Sequence, residues 1–92
     1  MPVKMNKIES STIKSIGWRA YTDEPDRGVL FVRFVKGGPK GYKYENVPER
    51  IFHHLMNANI VNEQISVGSL FHDLVKKHPD LYPYTNLDKP EG

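Results

Sequence analysis

The residue pattern predicts an α+β domain: a three-stranded antiparallel β-meander packed against two C-terminal helices, in the order β-β-β-α-α. Three observations predict it. Between residues 13 and 44, apolar residues recur at alternate positions in three runs, the period of half-buried strands. The runs are joined by short turn-forming segments, and short connections between consecutive strands imply antiparallel pairing. From residue 46 onward the apolar period lengthens to that of helices, in two stripes. A sheet with one apolar face needs such a cover.

The elements follow in order. Residues 1–9 are polar and aperiodic, which predicts a flexible lead-in. In the first strand Ile16, Trp18 and Ala20 alternate with polar or charged neighbours. Residues 22–28 are dense in turn formers and make a loop whose acidic content disfavours phosphate. The run Val29 to Val35 is rich in β-branched and aromatic residues, and Arg33 marks its own face as wet. Leu30, Val32 and Phe34 are therefore expected in the core, with Phe31 and Val35 beside Arg33 on the other side. Residues 36–41, Lys-Gly-Gly-Pro-Lys-Gly, supply a reversal, and Tyr42-Lys43-Tyr44 a short third strand.

Asn46 is expected to cap the first helix, with Pro48 in its first turn and Glu49 at the positive end of its dipole. Val47, Ile51 and Leu55 form its stripe, widened by Phe52 and Met56. After a link, Ser66 is expected to cap a second helix bearing Val67, Leu70, Phe71, Leu74 and Val75, closed by His78 before Pro79. Residues 79–92 carry three prolines and read as an extended tail around a domain spanning 10–78.

Ninety-two residues suffice for one domain. A chain of this size buries only about 60–65% of its unfolded surface, leaving little slack for a deep internal cavity. The absence of cysteine excludes disulfides, thiolate metal sites and thiol nucleophiles. No segment has the apolar length of a membrane span, and the N-terminal residues lack the apolar run of a secretory signal. A cytoplasmic protein is expected. The formal net charge of +2 tolerates nucleic-acid binding without demanding it.

Several features in order resemble one family. They are Ser10-Ser11 followed by Ile13, then Ile16-Gly17-Trp18, Leu30-x-Val32-x-Phe34, Tyr42-Lys43-Tyr44, Asn46-Val47-Pro48 and Ser66-x-Gly68-x-x-Phe71. From Ile8 to about Val75 the chain resembles the KTSC domain, which occurs at the C-terminus of some lysyl-tRNA synthetases and as a free-standing small protein of bacteria and their phages. The chain departs from the pattern at Leu70-Phe71-His72, where the family tends to have Tyr-Phe-Asn. The 57–65 link and the 23–28 loop are also longer. The family carries no assigned biochemical function, and its occurrence on a tRNA-charging enzyme implies RNA as a ligand by analogy alone.

The usual catalytic groupings are missing from the sequence. His53 and His54 are adjacent and project about 100° apart on a helix, whereas metal ligands want one-turn spacing. No serine sits in a nucleophile elbow, and the Gly37-Gly38 turn lacks the strand-to-helix setting of a phosphate loop. A non-enzymatic binding module with no cofactor is expected. Its candidate surface is the sheet face opposite the core, bearing Arg19 and Tyr21 on the first strand and Phe31 and Arg33 on the second. The third strand adds either Lys43, or Tyr42 with Tyr44, according to register. Rings that stack on bases, beside cations that neutralise phosphate, suit single-stranded RNA or another nucleic acid. The same face also suits a protein-interaction adaptor, phage-encoded and acting on a host complex, since exposed apolar strips mark protein interfaces. A third reading is a protein that sequesters a nucleotide between subunits. Against all three stands a structural role: Tyr42 and Tyr44 packing beneath the helices with their hydroxyls at the rim.

Overall fold

The computed structural model describes residues 4–8, 12–61 and 67–88. These form strands β1 (Asn6–Lys7), β2 (Ile13–Ala20), β3 (Arg27–Phe34) and β4 (Tyr42–Pro48), then helices α1 (Glu49–Val61) and α2 (Val67–Phe71). Helix α2 runs on as a π-helical turn over His72–Lys76, and strand β5 (Tyr84–Asn86) follows. All pairings are antiparallel and the sheet order follows the chain, β1-β2-β3-β4-β5.

The α+β class and the three central strands are as expected, but the sheet has five strands rather than three. Each extra strand comes from a segment expected to be loose. In the lead-in, Asn6 and Lys7 pair with Ile16 and Ser15, and Asn6 Nδ2 donates to the Ile16 carbonyl at 3.2 Å. Ile8, only 4% exposed, sinks into the core behind them. In the tail, Tyr84, Thr85 and Asn86 pair with Tyr44, Lys43 and Tyr42. The tail prolines permit this because an edge strand needs donors on one side only. Pro83 contributes its carbonyl, which accepts from Glu45 N at 2.9 Å.

Asn46 does not cap α1. Strand β4 continues through Pro48, and Asn46 sits within it at φ 63°. Its amide N donates to the Tyr21 hydroxyl at 2.9 Å, and its side-chain nitrogen faces the Leu81 carbonyl at 3.5 Å. The cause is a β-bulge. Between the pairs Gly28↔Val47 and Leu30↔Tyr44, β4 has one residue more than β3. The extra residue lets Tyr44 and Val47, three apart, both point inward, at 3% and 0% exposure. Asparagine tolerates the left-handed conformation this demands. Val47 thus belongs to the sheet, and α1 contributes Ile51 and Leu55 to the core. Ser66, the expected cap of α2, lies outside the described residues.

One core lies between the sheet and the helices. Ile16, Leu30, Val32, Tyr44 and Val47 face Leu55, Val67, Phe71 and Val75, all nearly inaccessible. Each such aliphatic or aromatic side chain contributes about 1.5–3 kcal/mol on burial. Trp18 packs against this core through a stacked contact with Phe52 at 6.3 Å, and its Nε1 donates to the Val47 carbonyl at 2.9 Å.

The β3–β4 turn ends at Gly41, φ 79°, where a side chain would also strike the Val32 carbonyl. The Lys40 and Gly41 amides donate to the two oxygens of Asp88 at 3.0 and 2.9 Å. This turn is therefore closed by a carboxylate of the same chain.

Candidate functional site

The pleat settles which residues share a face. One cross-strand row runs Trp18, Leu30, Tyr44, Tyr84, and the next on the same side Ile16, Val32, Tyr42, Asn86. These face the helices. The alternate row runs Gly17, Phe31, Lys43, Thr85, and it is joined by Arg19 opposite Val29 and by Arg33 opposite Ser15. Among the described residues both helices pack on the first side, so the second is an open face.

Of the residues expected to make one site, Arg19, Tyr21, Phe31, Arg33 and Lys43 do lie on the open face. Arg19 and Arg33 are exposed, and Phe31 is half-buried opposite Gly17, which has no side chain to screen the ring. No ion pair involves either arginine among the described residues. A shallow depression of about 230 Å³ lies between Arg19, Tyr21, Val29 and Phe31. Lys7 of β1, opposite Ser15 and in the same row as Arg33, adds a cation that sequence reasoning missed. A two-residue strand is too short to show a period that would have revealed it.

The face is not uniformly basic. The bulge turns Glu45 outward. Its Oε1 lies 3.8 Å from Lys43 Nζ, and its Oε2 accepts from the Tyr21 hydroxyl at 2.7 Å. Tyr21 is tied twice, since its oxygen also accepts the Asn46 amide. Burial and, next, the bond to Glu45 hold its pKa above that of a free phenol. Tyr21 is thereby a positioned rim residue, and Lys43 is partly neutralised.

Tyr42 and Tyr44 are on the other side of the sheet, which corrects their inclusion in that site. With Leu30 and Val32 inward, their cross-strand partners Tyr44 and Tyr42 must be inward too. There they join Phe34, Phe71 and Tyr84 in one aromatic cluster. Tyr44 meets Phe71 edge-on at 5.1 Å, Tyr42 meets Phe34 edge-on at 5.5 Å, and Tyr84 lies 5.9 and 5.8 Å from Tyr42 and Tyr44. This cluster borders an open cleft of about 740 Å³ that also reaches Lys36 and Lys76. Sequence reasoning did not assemble it, because its walls come from four separated segments. The tyrosine alternation Tyr82, Tyr84 within the tail was the one local hint.

Two of the four histidines make surface contacts with carboxylates. His53 lies 3.6 Å from Glu49 and His72 3.6 Å from Asp73, all largely exposed. Among the described residues no group of three potential metal ligands occurs. No helix of the described residues is long and apolar enough to cross a membrane.

An antiparallel sheet roofed by helices on one side, with no described helix on the other and with polar chemistry on its strand surfaces, defines a small α+β domain. The KTSC domain model matches residues 9–78. The chain belongs to the KTSC domain family. It is similar to the crystal structure of a KTSC domain protein from Yersinia pestis, at 26% identity and a TM-score of 0.69, over 94% of this chain and 99% of that one. No curated protein matches the chain.

Proposed function

We propose that this chain is a non-enzymatic cytoplasmic module that binds single-stranded RNA or another single-stranded nucleic acid on the open face of its sheet. The observation that carries this reading is the position of Arg19 and Arg33. Both are exposed and free of ion pairs among the described residues, on the same face as the half-buried Phe31. A strand laid along this face meets a ring for a base and guanidinium groups for the flanking phosphates. Stacking of this kind contributes about 1–3 kcal/mol per base. Lys7 extends the basic row at one end, while Glu45 and the exposed acids Asp23, Glu24 and Asp26 repel phosphate at the other. The polynucleotide is therefore directed towards the Arg33 end.

A protein partner is the second reading, and the apolar part of the same surface favours it. Val35 is 51% exposed next to the Arg33 end, and Val29 and Phe31 are only half-buried. The two readings part on salt. Nucleic-acid binding releases counterions and weakens steeply as salt rises, whereas an apolar contact does not. A labelled pool of single-stranded RNA is expected to be retained by the immobilised protein at low salt and released between about 50 and 200 mM. Failure to retain any RNA at low salt rejects the proposal.

A further inference from the structure

We propose that the aromatic cleft on the helix side of the sheet is a binding site for a nucleotide, a flat heteroaromatic ring carrying a phosphate, held between tyrosine rings and two lysines of a single protomer. This stands apart from the open-face reading and does not require it. The cleft and the open face are separated by the thickness of the sheet.

Four observations converge. The cleft has a volume of about 740 Å³, within the range of small-molecule sites, roughly 300–1,000 Å³. Phe34, Tyr42, Tyr44 and Tyr84 present rings to it. Tyr84 is 59% exposed on the edge strand, so one ring stands at the mouth with a face available for stacking. Lys36 and Lys76 also line it, and among the described residues no carboxylate does and neither lysine has an ion pair. Among the described residues the charge lining the cleft is positive.

The fourth observation is Tyr44. Its ring is buried, with the whole residue at 3% exposure, and its hydroxyl makes no hydrogen bond among the described residues; since no fully buried side-chain polar atom there lacks a partner, that hydroxyl reaches the water of the cleft. The neighbouring Tyr42 hydroxyl, by contrast, accepts from Asn86 Nδ2 at 3.3 Å. A hydroxyl at the surface of a cleft can exchange its water for a polar atom of a ligand. Because Tyr44 lines the cleft, a polar edge of a bound ring is the natural partner. Burial first, then the nearby Tyr42 and Tyr84 hydroxyls, push its pKa up to about 12, so it remains a neutral donor throughout the physiological range.

The π-helical turn contributes to the same site. Lys76 lies five positions after Phe71. In an α-helix that step would carry Lys76 about 140° away from the Phe71 side. The wider π-turn, closed by Lys77 N donating to the His72 carbonyl at 3.0 Å, returns it towards the aromatic cluster. Interruptions of this kind recur at functional sites.

The shared chemistry has two sources, a free nucleotide and the terminal nucleotide of a strand. The test is an amide chemical-shift titration of the intact protein with four probes: adenosine 5′-monophosphate, adenosine, inorganic phosphate, and a 5′-phosphorylated hexa-adenylate. Saturable shifts of Gly37, Tyr42, Tyr44, Lys76 and Tyr84 with the monophosphate, at least tenfold weaker with adenosine or phosphate alone, support a free-nucleotide site. The same shifts with the hexanucleotide alone support a strand-end site. Tyr44→Phe keeps the ring and should weaken binding about fivefold, the loss of one hydrogen bond. Lys76→Glu, on the exposed turn, should abolish it. Arg19→Glu/Arg33→Glu should leave it unchanged. No saturable shift at the cleft with any probe at millimolar concentration overturns the proposal. So does binding that Tyr44→Phe and Lys76→Glu both leave intact.

Discussion

Lys43 and Tyr44 are consecutive in the chain and sit on opposite sides of one sheet. Tyr44 is 3% exposed, packed edge-on against Phe71, and its hydroxyl makes no hydrogen bond among the described residues. Lys43 is 36% exposed at its side chain and leans towards Glu45 at 3.8 Å. The pleat alone separates them, since successive side chains of a strand point to opposite faces. The covered side becomes an aromatic cluster whose spare capacity opens as a cleft. The open side keeps cations in water and pairs one of them, Lys43, with its own carboxylate, Glu45. Aromatic and cationic chemistry, which the sequence interleaves, is thus partitioned by the fold into two surfaces, one ring-rich and one arginine-rich.

The partition can be broken first from the covered side. Phe71→Ala removes a ring that is 2% exposed and touches both Phe34 and Tyr44. It should cost about 3–5 kcal/mol, read as a lowered midpoint in urea unfolding. A loss below about 1 kcal/mol would mean that the cluster is not a packed unit.

Alkaline pH sharpens the same contrast with a smaller effect. Tyr44 titrates near 12 when folded and near 10 when unfolded. A raised folded pKa means that its contribution to stability is complete below about pH 10 and is lost as pH rises to about 12. Tyr44→Phe should flatten the decline in stability over that window and remove one late-ionising phenol from the ultraviolet titration.

The smallest expected effect belongs to the open side. Glu45→Gln frees Lys43 and removes one negative charge from the face. Affinity for single-stranded RNA should rise about two- to threefold at low salt, with stability changed by no more than about 0.5 kcal/mol. The Tyr21 phenol should titrate closer to its ordinary value, since the carboxylate that holds its proton is gone.

Much of this architecture was legible in the residue order. Alternation in Val29 to Phe34 fixed the inward side of β3, and the turn chemistry of residues 36–41 fixed its pairing with β4. What escaped had physical reasons. Strands of two and three residues, Asn6–Lys7 and Tyr84–Asn86, lack the length to express a period. Asn46-Val47-Pro48 has the composition of a helix start, and only the extra residue relative to β3 makes it a bulge. The side taken by Tyr42 and Tyr44 could not be read locally, because a phenol suits both a core and a surface. It follows from Leu30 and Val32 across the strand. The cleft is built from residues 34, 36, 42, 44, 76 and 84, so no local motif announces it.

The central claim is that the arginines of the open face hold a polynucleotide by its phosphates. Its most direct test is fluorescence anisotropy of a labelled single-stranded RNA, titrated with native protein and with Arg19→Glu/Arg33→Glu over a range of salt concentrations. The account predicts a linear fall of log affinity with log salt for the native protein. The double variant should bind at least tenfold more weakly, with a slope shallower by about 1.4, two phosphate contacts on a single strand. Equal affinity and equal slope for the two proteins would contradict it.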